Sequence, residues 1–307
     1  MIRFLEESHQ YFDEQDVEYI SVTTFVGSFK AKYDGEFWSA YKAIESILGM
    51  TDVVDERGRK AFTMWLKRNG LGFCLETKTT DSLKKVAQFA NISWLQIWEK
   101  QQELKTKWKD KSDAACAKGT AFHNLMEKTA HDTGIDIVTE LIEGVLPQRP
   151  HIATGVQGKT KLFSYRSLAE LEDGAYPELA VWLEEARIAG KIDKPFIFTK
   201  HDGKRYVTIS DYKTNDKLTF SNPVKEKYKF PIQHLEVCKF NDYALQLNMY
   251  AYILAQSGFI VDKLFIEHNI VEPITLKVLS SKLLEVPNLQ ADVAAMVKWR
   301  INQFKKY

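Results

Sequence analysis

The sequence predicts an α/β protein in which a strand-rich core follows a long helical region. Three observations carry this. Residues 35–111 read as helices, punctuated by Gly49, by Gly70 and Gly72, and by the polar stretch from Thr77 to Asp81. Residues 176–213 carry short β-branched and aromatic runs separated by turn residues. Beyond residue 240 a helix, a strand and a final helix follow in turn. A chain of 307 residues, 45% hydrophobic and 27% charged, is long enough for one large domain or two modest ones. The pattern change divides it into an N-terminal part, 1–110, and a core, 111–307.

Several classes are disfavoured at once. No apolar run reaches the roughly 18 residues that cross a bilayer. The opening Met1-Ile2-Arg3-Phe4-Leu5-Glu6-Glu7 lacks a signal peptide's apolar stretch, so no membrane partner and a cytoplasmic location are expected. Cys74, Cys116 and Cys238 are odd in number and far apart, which suits neither a disulfide framework nor a zinc ribbon. Three cysteines are also too few for a four-thiolate iron-sulfur cluster, and none is expected. The net charge of +1 does not advertise nucleic-acid binding, but its distribution is uneven. Arg3 to Glu18 holds one basic residue against six acidic ones, whereas Lys60 to Lys118 holds twelve against six. Such a basic middle suits a surface that tracks a phosphate backbone, and equally a solvated helix face.

Taken in order, Arg3-Phe4-Leu5 and Glu18-Tyr19-Ile20 read as the strands of a small hairpin with a polar turn at Asp13 to Asp16. Ser21-Val22-Thr23-Thr24-Phe25 then starts a helix with Ser21 as N-cap; such hydroxyls either cap or help to hold a phosphate. In the helical region Phe37, Trp38, Tyr41, Trp65, Phe73, Trp94, Trp98 and Trp108 recur among lysines, an arrangement that serves packing or the stacking of bases. In the next helix, Ala114 to Glu127, small residues allow close packing, and His123 and Glu127 lie one turn apart. His123 is either a partly buried imidazole with ordinary partners or a metal ligand.

Residues 134–167 are loop-rich, with Pro147, Pro150, Gly155 and Gly158. Strands follow at Tyr176 to Trp182 and Ala186 to Phe198, and a turn at His201 to Lys204 leads into a third strand through Val207-Thr208-Ile209. Together they predict an antiparallel meander that sets Asp193 on the strand next to Asp211. Two carboxylates brought together in this way repel unless a cation lies between them. Asp211 and Lys213 share a strand face, and such a pair suits metal-assisted phosphodiester hydrolysis. Asp-x-Lys is also a common solvated pair, and it recurs at Asp202-Gly203-Lys204. After a basic loop from Asp216 to about Lys239, Tyr243 to Leu254 reads as an amphipathic helix with Gln246 and Tyr250 on one face. A strand at Lys263 to His268 and a helix from about Asn288 to Phe304 complete the core.

The ordered set GTAFH (Gly119 to His123), Glu178, GKID (Gly190 to Asp193), SDYK (Ser210 to Lys213) and QLNMY (Gln246 to Tyr250) resembles the RecB-type branch of the PD-(D/E)XK nuclease superfamily. These motifs span roughly residues 112–270. The Ser21-Val22-Thr23-Thr24-Phe25 segment, followed by an aromatic and basic helical region, is similar to the single-domain exonucleases of that branch, phage-encoded ones above all. The mitochondrial genome maintenance exonuclease belongs to the same branch.

The resemblance implies a restriction-endonuclease-like core, a central mixed sheet flanked by helices, beneath an α-rich N-terminal region that holds a DNA strand. It makes His123, Asp193 and Asp211 ligands of one or two Mg²⁺ or Mn²⁺ ions, with the Tyr212 carbonyl a further one. Lys213 becomes the catalytic lysine, and Gln246 and Tyr250 lie near the scissile phosphate or the DNA. Glu178 joins the catalytic set, with Glu184 and Glu185 as competitors for its role and Glu127 as a supporting residue. Ser21, Thr23, Thr24, Lys118 and Thr120 contact DNA. The implied activity is a metal-dependent DNA exonuclease acting on single strands with a free end. Phage or host recombination and replication proteins are the implied partners, and an infected bacterial cell the implied setting. A structure-specific endonuclease and an inactive nucleic-acid-binding module are the alternatives.

Overall fold

The computed structural model describes residues 2–5, 8–133, 154–157, 160–163, 167–222 and 225–304. They form two compact units, one of Met1–Ala31 with Lys118–Tyr307 and the other of Lys32–Ala117. The first thirty residues thus belong with the strands, where the sequence pattern groups them with the helices. Pairing explains the difference, because Ile20 and Ser21 lie beside Ile188 and Ala189 in one sheet.

The chain begins with β1 (Arg3–Leu5), β2 (Gln10–Phe12), β3 (Glu18–Ser21) and α1 (Val22–Ser28). The expected two-stranded hairpin is a three-stranded meander, since β2 pairs with both β1 and β3. Ser21 caps α1 as expected, its hydroxyl accepting the Thr24 N–H at 3.1 Å.

The helical unit contains α2 (Gly35–Ile47), α3 (Ala61–Arg68), α4 (Phe73–Thr77), α5 (Thr80–Phe89) and the first part of α6 (Trp94–Thr133). The Asp34 carboxylate caps α2 and the Thr79 hydroxyl caps α5. Phe37, Tyr41 and Ile44 recur at helical spacing and bury one face of α2 against Phe62, Leu66, Leu83 and Val86. Of the pair at Trp94 and Trp98, Trp94 packs against this core and Trp98 stays 53% exposed.

The other unit continues with β4 (Thr154–Gln157), β5 (Thr160–Phe163), β6 (Gly174–Ala175), β7 (Leu179–Leu183), β8 (Ile188–Ile192), β9 (Lys194–Thr199) and β10 (Arg205–Lys213). Then come α7 (Lys239–Gln256), β11 (Ile260–Val271), β12 (Val278–Glu285) and α8 (Gln290–Phe304). The strands build two sheets, in the orders β4-β5-β1-β2-β3-β8-β7 and β12-β11-β10-β9-β6. Both are mixed: β3 runs parallel to β8 and β10 parallel to β11, while the remaining pairs are antiparallel. The β4–β5 hairpin falls inside the stretch read as loop, of which 134–153, 158–159 and 164–166 lie outside the described residues.

The expected meander through Asp193 needs correction. β7 pairs with β8, and β9 pairs with β10, but β8 and β9 belong to different sheets. Asp193 is the single residue between them, at the bend where the chain crosses over. The expected amphipathic helix also differs, because α7 is buried continuously from Ala244 to Ala251. It packs on β7, β10 and β11 as well as on α1 and α8, which leaves little of its circumference for water. No helix among the described residues is long and apolar enough to cross a membrane.

Candidate active site

The crossover at Asp193 gathers the site. Its Oδ2 accepts the backbone N–H of Tyr212 at 2.7 Å, which ties the end of β10 to the bend. Its main-chain carbonyl accepts the Glu178 N–H at 3.1 Å. Glu178 precedes β7 in the left-handed conformation, φ 53°, which costs a residue with a side chain about 1 kcal/mol or more. On α6 the small Gly119 passes close to Thr214, and one turn later His123 reaches the same corner. His123 Nδ1 lies 3.2 Å from Asp193 Oδ1 and 3.6 Å from Glu178 Oε1. One ligand atom from each of the three falls within 4.8 Å of the others.

Asp211 stands beside this cluster and differs in its bonding. It is 1% exposed, and its Oδ2 accepts from the Lys213 ammonium. Its Oδ1 is buried with no hydrogen-bond partner. A buried carboxylate oxygen left this way is costly, and such groups commonly mark a missing ion or a functional role. Lys213 also lies over the ring of Tyr243, 4.8 Å from its centroid.

The electrostatics agree with the geometry. Burial, then the neighbouring Asp193 charge, raises Asp211 to about 6 despite Lys213. The Asp193 charge is the largest influence on His123 and, against the opposing effect of burial, lifts it to about 11. Burial pushes Glu178 up, but His123 and Lys191 outweigh it and hold the carboxyl well below its ordinary value. Burial likewise works against the charged Lys213, and the Asp211 and Asp193 carboxylates overcome it to raise that group. The cluster therefore stabilises positive charge at its centre. Its donors fit a hard divalent cation, for which His123, Glu178 and Asp193 offer a ready set and Asp211 an unsatisfied oxygen.

These residues open onto a cleft with a cavity volume of about 420 Å³, lined by Gly119, Thr120, His123 and Asn124 of α6 and by Ser21, Val22 and Thr23 at the start of α1. Tyr250 also lines it, and its hydroxyl accepts from Gln246 Nε2 at 3.1 Å. Gly190 of the GKID motif has a steric reason, since a Cβ there would meet Tyr250 Cε1 at 2.7 Å. Thr24 is exposed and bonded to Ser21, and Lys118 pairs with Asp216 at 3.0 Å. Glu184 and Glu185 form an exposed turn after β7, outside the cleft lining. Glu127 lies one turn beyond His123 and outside the cluster.

The cleft also contains residues to which the sequence assigns no role at the site. Phe4, His9 and Tyr11 come from the N-terminal meander, and Lys191 from β8. Lys191 pairs with Glu178, and its ammonium lies 4.9 Å from the centroid of the Phe4 ring. A signal for Lys191 existed: it lies two residues before Asp193 in a strand-like run, hence on the same face. His9 carried none, because its place depends on β2 and on a left-handed backbone, φ 51°.

A mixed α/β core that places Asp211 and Lys213 at a strand end, next to an acid–histidine cluster, belongs to the class of metal-assisted nucleases. A family model of the PD-(D/E)XK nuclease superfamily matches residues 97–272, more than half of the chain. The chain belongs to that superfamily, and its core is restriction-endonuclease-like. No curated protein gives a significant match.

Proposed function

We propose that this protein is a metal-dependent DNA exonuclease of the RecB-type branch, acting on single strands with a free end. The convergence of His123, Glu178 and Asp193 in an open cleft, beside the Asp211–Lys213 pair, carries the reading. His123, Glu178, Asp193 and Asp211 hold one or two Mg²⁺ or Mn²⁺ ions, and the Tyr212 carbonyl is a further ligand. Oxygen donors dominate that set, which favours these ions over zinc. When bound, such an ion supplies Lewis acidity and a water of lowered pKa.

The remaining steps belong to the chain's own side chains. Lys213 orients the attacking water and stabilises the charge that grows on the phosphate oxygens. Burial, and next the Asp211 charge, keep the Tyr250 hydroxyl protonated, so it acts as a hydrogen-bond donor near the scissile phosphate. Gln246 fixes its orientation. Ser21, Thr23, Thr24, Lys118 and Thr120 contact the sugar-phosphate backbone. The helical unit is the strand-holding part, a reading supported by its basic surface and by the exposed rings of Trp98 and Trp108. A place in phage recombination or replication within an infected cell follows from the same branch assignment.

The test uses end-labelled linear single-stranded DNA and a closed circular single strand, each with Mg²⁺ or Mn²⁺. Degradation of the linear strand alone, lost by about a hundredfold or more in Asp211→Ala and Lys213→Ala, is the expected result. Cutting of the circle would instead make the protein an endonuclease. A wild type that retards DNA in a gel yet cleaves nothing would be a binding module.

A further inference from the structure

Lys213 has two close partners, the Asp211 carboxylate and the face of the Tyr243 ring. We propose that Tyr243 is a positioning residue whose ring holds the Lys213 ammonium in place when a divalent cation engages Asp211. The inference rests on the metal-dependent nuclease reading above and adds a residue to it.

An ion on the free Oδ1 of Asp211 would share that carboxylate's charge with the Lys213 ammonium on Oδ2. The carboxylate's hold on the ammonium would then weaken, and the two cations would repel each other. The lysine side chain is only 14% exposed, so water does not readily make up the weakened attraction. The negative face of the Tyr243 ring is the partner that the ion leaves untouched, and such contacts strengthen where water is excluded.

The ring is itself anchored. The Tyr243 hydroxyl donates to Asn215 Oδ1 at 3.2 Å, and the Asn215 side-chain amide donates in turn to the Lys217 carbonyl. His268 Nε2 donates to the Asn215 main-chain carbonyl at 2.6 Å, so the loop after β10 is tied to β11. Tyr243 precedes Gln246 by three residues and Tyr250 by seven, which places all three on one face of α7. The Gln-x-x-x-Tyr row of the helix thereby extends one turn further, to the lysine.

The experiment compares wild type, Tyr243→Phe and Tyr243→Leu by two readouts. The first is acylation of Lys213 by an amine-reactive acetyl ester, quantified by mass spectrometry with and without Mg²⁺ and with no DNA present. Without Mg²⁺ the three proteins should label alike, since Asp211 holds the ammonium. With Mg²⁺ the Leu variant should label at least fivefold faster than wild type, and the Phe variant within twofold of it. The second is single-turnover cleavage, expected to fall at least thirtyfold in the Leu variant at unchanged DNA affinity and less than threefold in the Phe variant. Equal labelling of wild type and Leu variant in Mg²⁺ overturns the proposal. So does a Phe variant as impaired as the Leu variant, which would assign the effect to the hydroxyl. If Tyr243→Leu does not fold, Tyr243→Met replaces it as the ringless variant. A wild type that cleaves no DNA removes the nuclease reading, while the labelling still decides whether the ring holds the lysine.

Discussion

His123 and Asp211 show how single residues store the site's charge. In the metal-free protein the imidazole is held protonated by Asp193, with its pKa near 11 against 6.5 for an ordinary histidine. A group raised in the folded state contributes its full stability below pH 6.5 and loses it as pH climbs through 11. The stability of wild type should therefore fall relative to His123→Gln between pH 7 and 10, by up to about 1.4 kcal/mol per pH unit, in urea unfolding without metal. A divalent cation has to displace that proton, so its affinity should rise over the same range in calorimetric titration. Mg²⁺ or Mn²⁺ should also raise the melting temperature of wild type by several degrees and leave Asp193→Ala unmoved. Most of these residues were legible because chemistry and order are carried by the chain itself: His123, Glu178 and Asp193 lie in three separate recognisable contexts, and Asp211 and Lys213 share a fourth. Phe4 and Tyr11 were not, since they look like ordinary strand apolar residues until a sheet brings them to the cleft.

Among the elements, β8 and α7 approach closely at Gly190 and Tyr250. Gly190 lets the Tyr250 ring lie against the β8 backbone, so Gly190→Ala should cost about 1–3 kcal/mol through overpacking and lower the melting temperature. Asn248, buried inside the QLNMY motif, donates to the Ala244 and Pro287 carbonyls and accepts the Leu289 N–H at 2.8 Å. It thereby ties the start of α8 to α7. Its replacement by Ala strands those groups and should destabilise the fold by about 2 kcal/mol or more in denaturant titration. The helices and the Asp211 strand were readable from periodicity and β-branching. The break of one apparent strand into β8 and β9 was not, because alternation continues through Asp193 while the hydrogen bonding changes sheets. β12 escaped for a different reason: it is an exposed edge strand whose residues Val278 to Glu285 need no buried face and show no clean alternation.

For the whole molecule, the two units have separate apolar cores. Five of the seven tryptophans, Trp38, Trp65, Trp94, Trp98 and Trp108, belong to the helical unit. Intrinsic fluorescence should accordingly follow that unit, and its midpoint should stay fixed when metal shifts the far-ultraviolet transition of the other. Trp98→Ala should weaken binding of single-stranded DNA by about 1–3 kcal/mol in a titration without metal, if bases stack there as proposed. The sequence marked a boundary near residue 110, where composition changes, but it could not reveal that the strand unit is discontinuous. That discontinuity carries a cost in time. Ile20 pairs with Ile188, 168 residues further on (188 − 20), so at roughly 5–20 residues per second a growing chain exposes its first strands for about 8–34 seconds before their partner is made. The intervening helices are complete well within that wait.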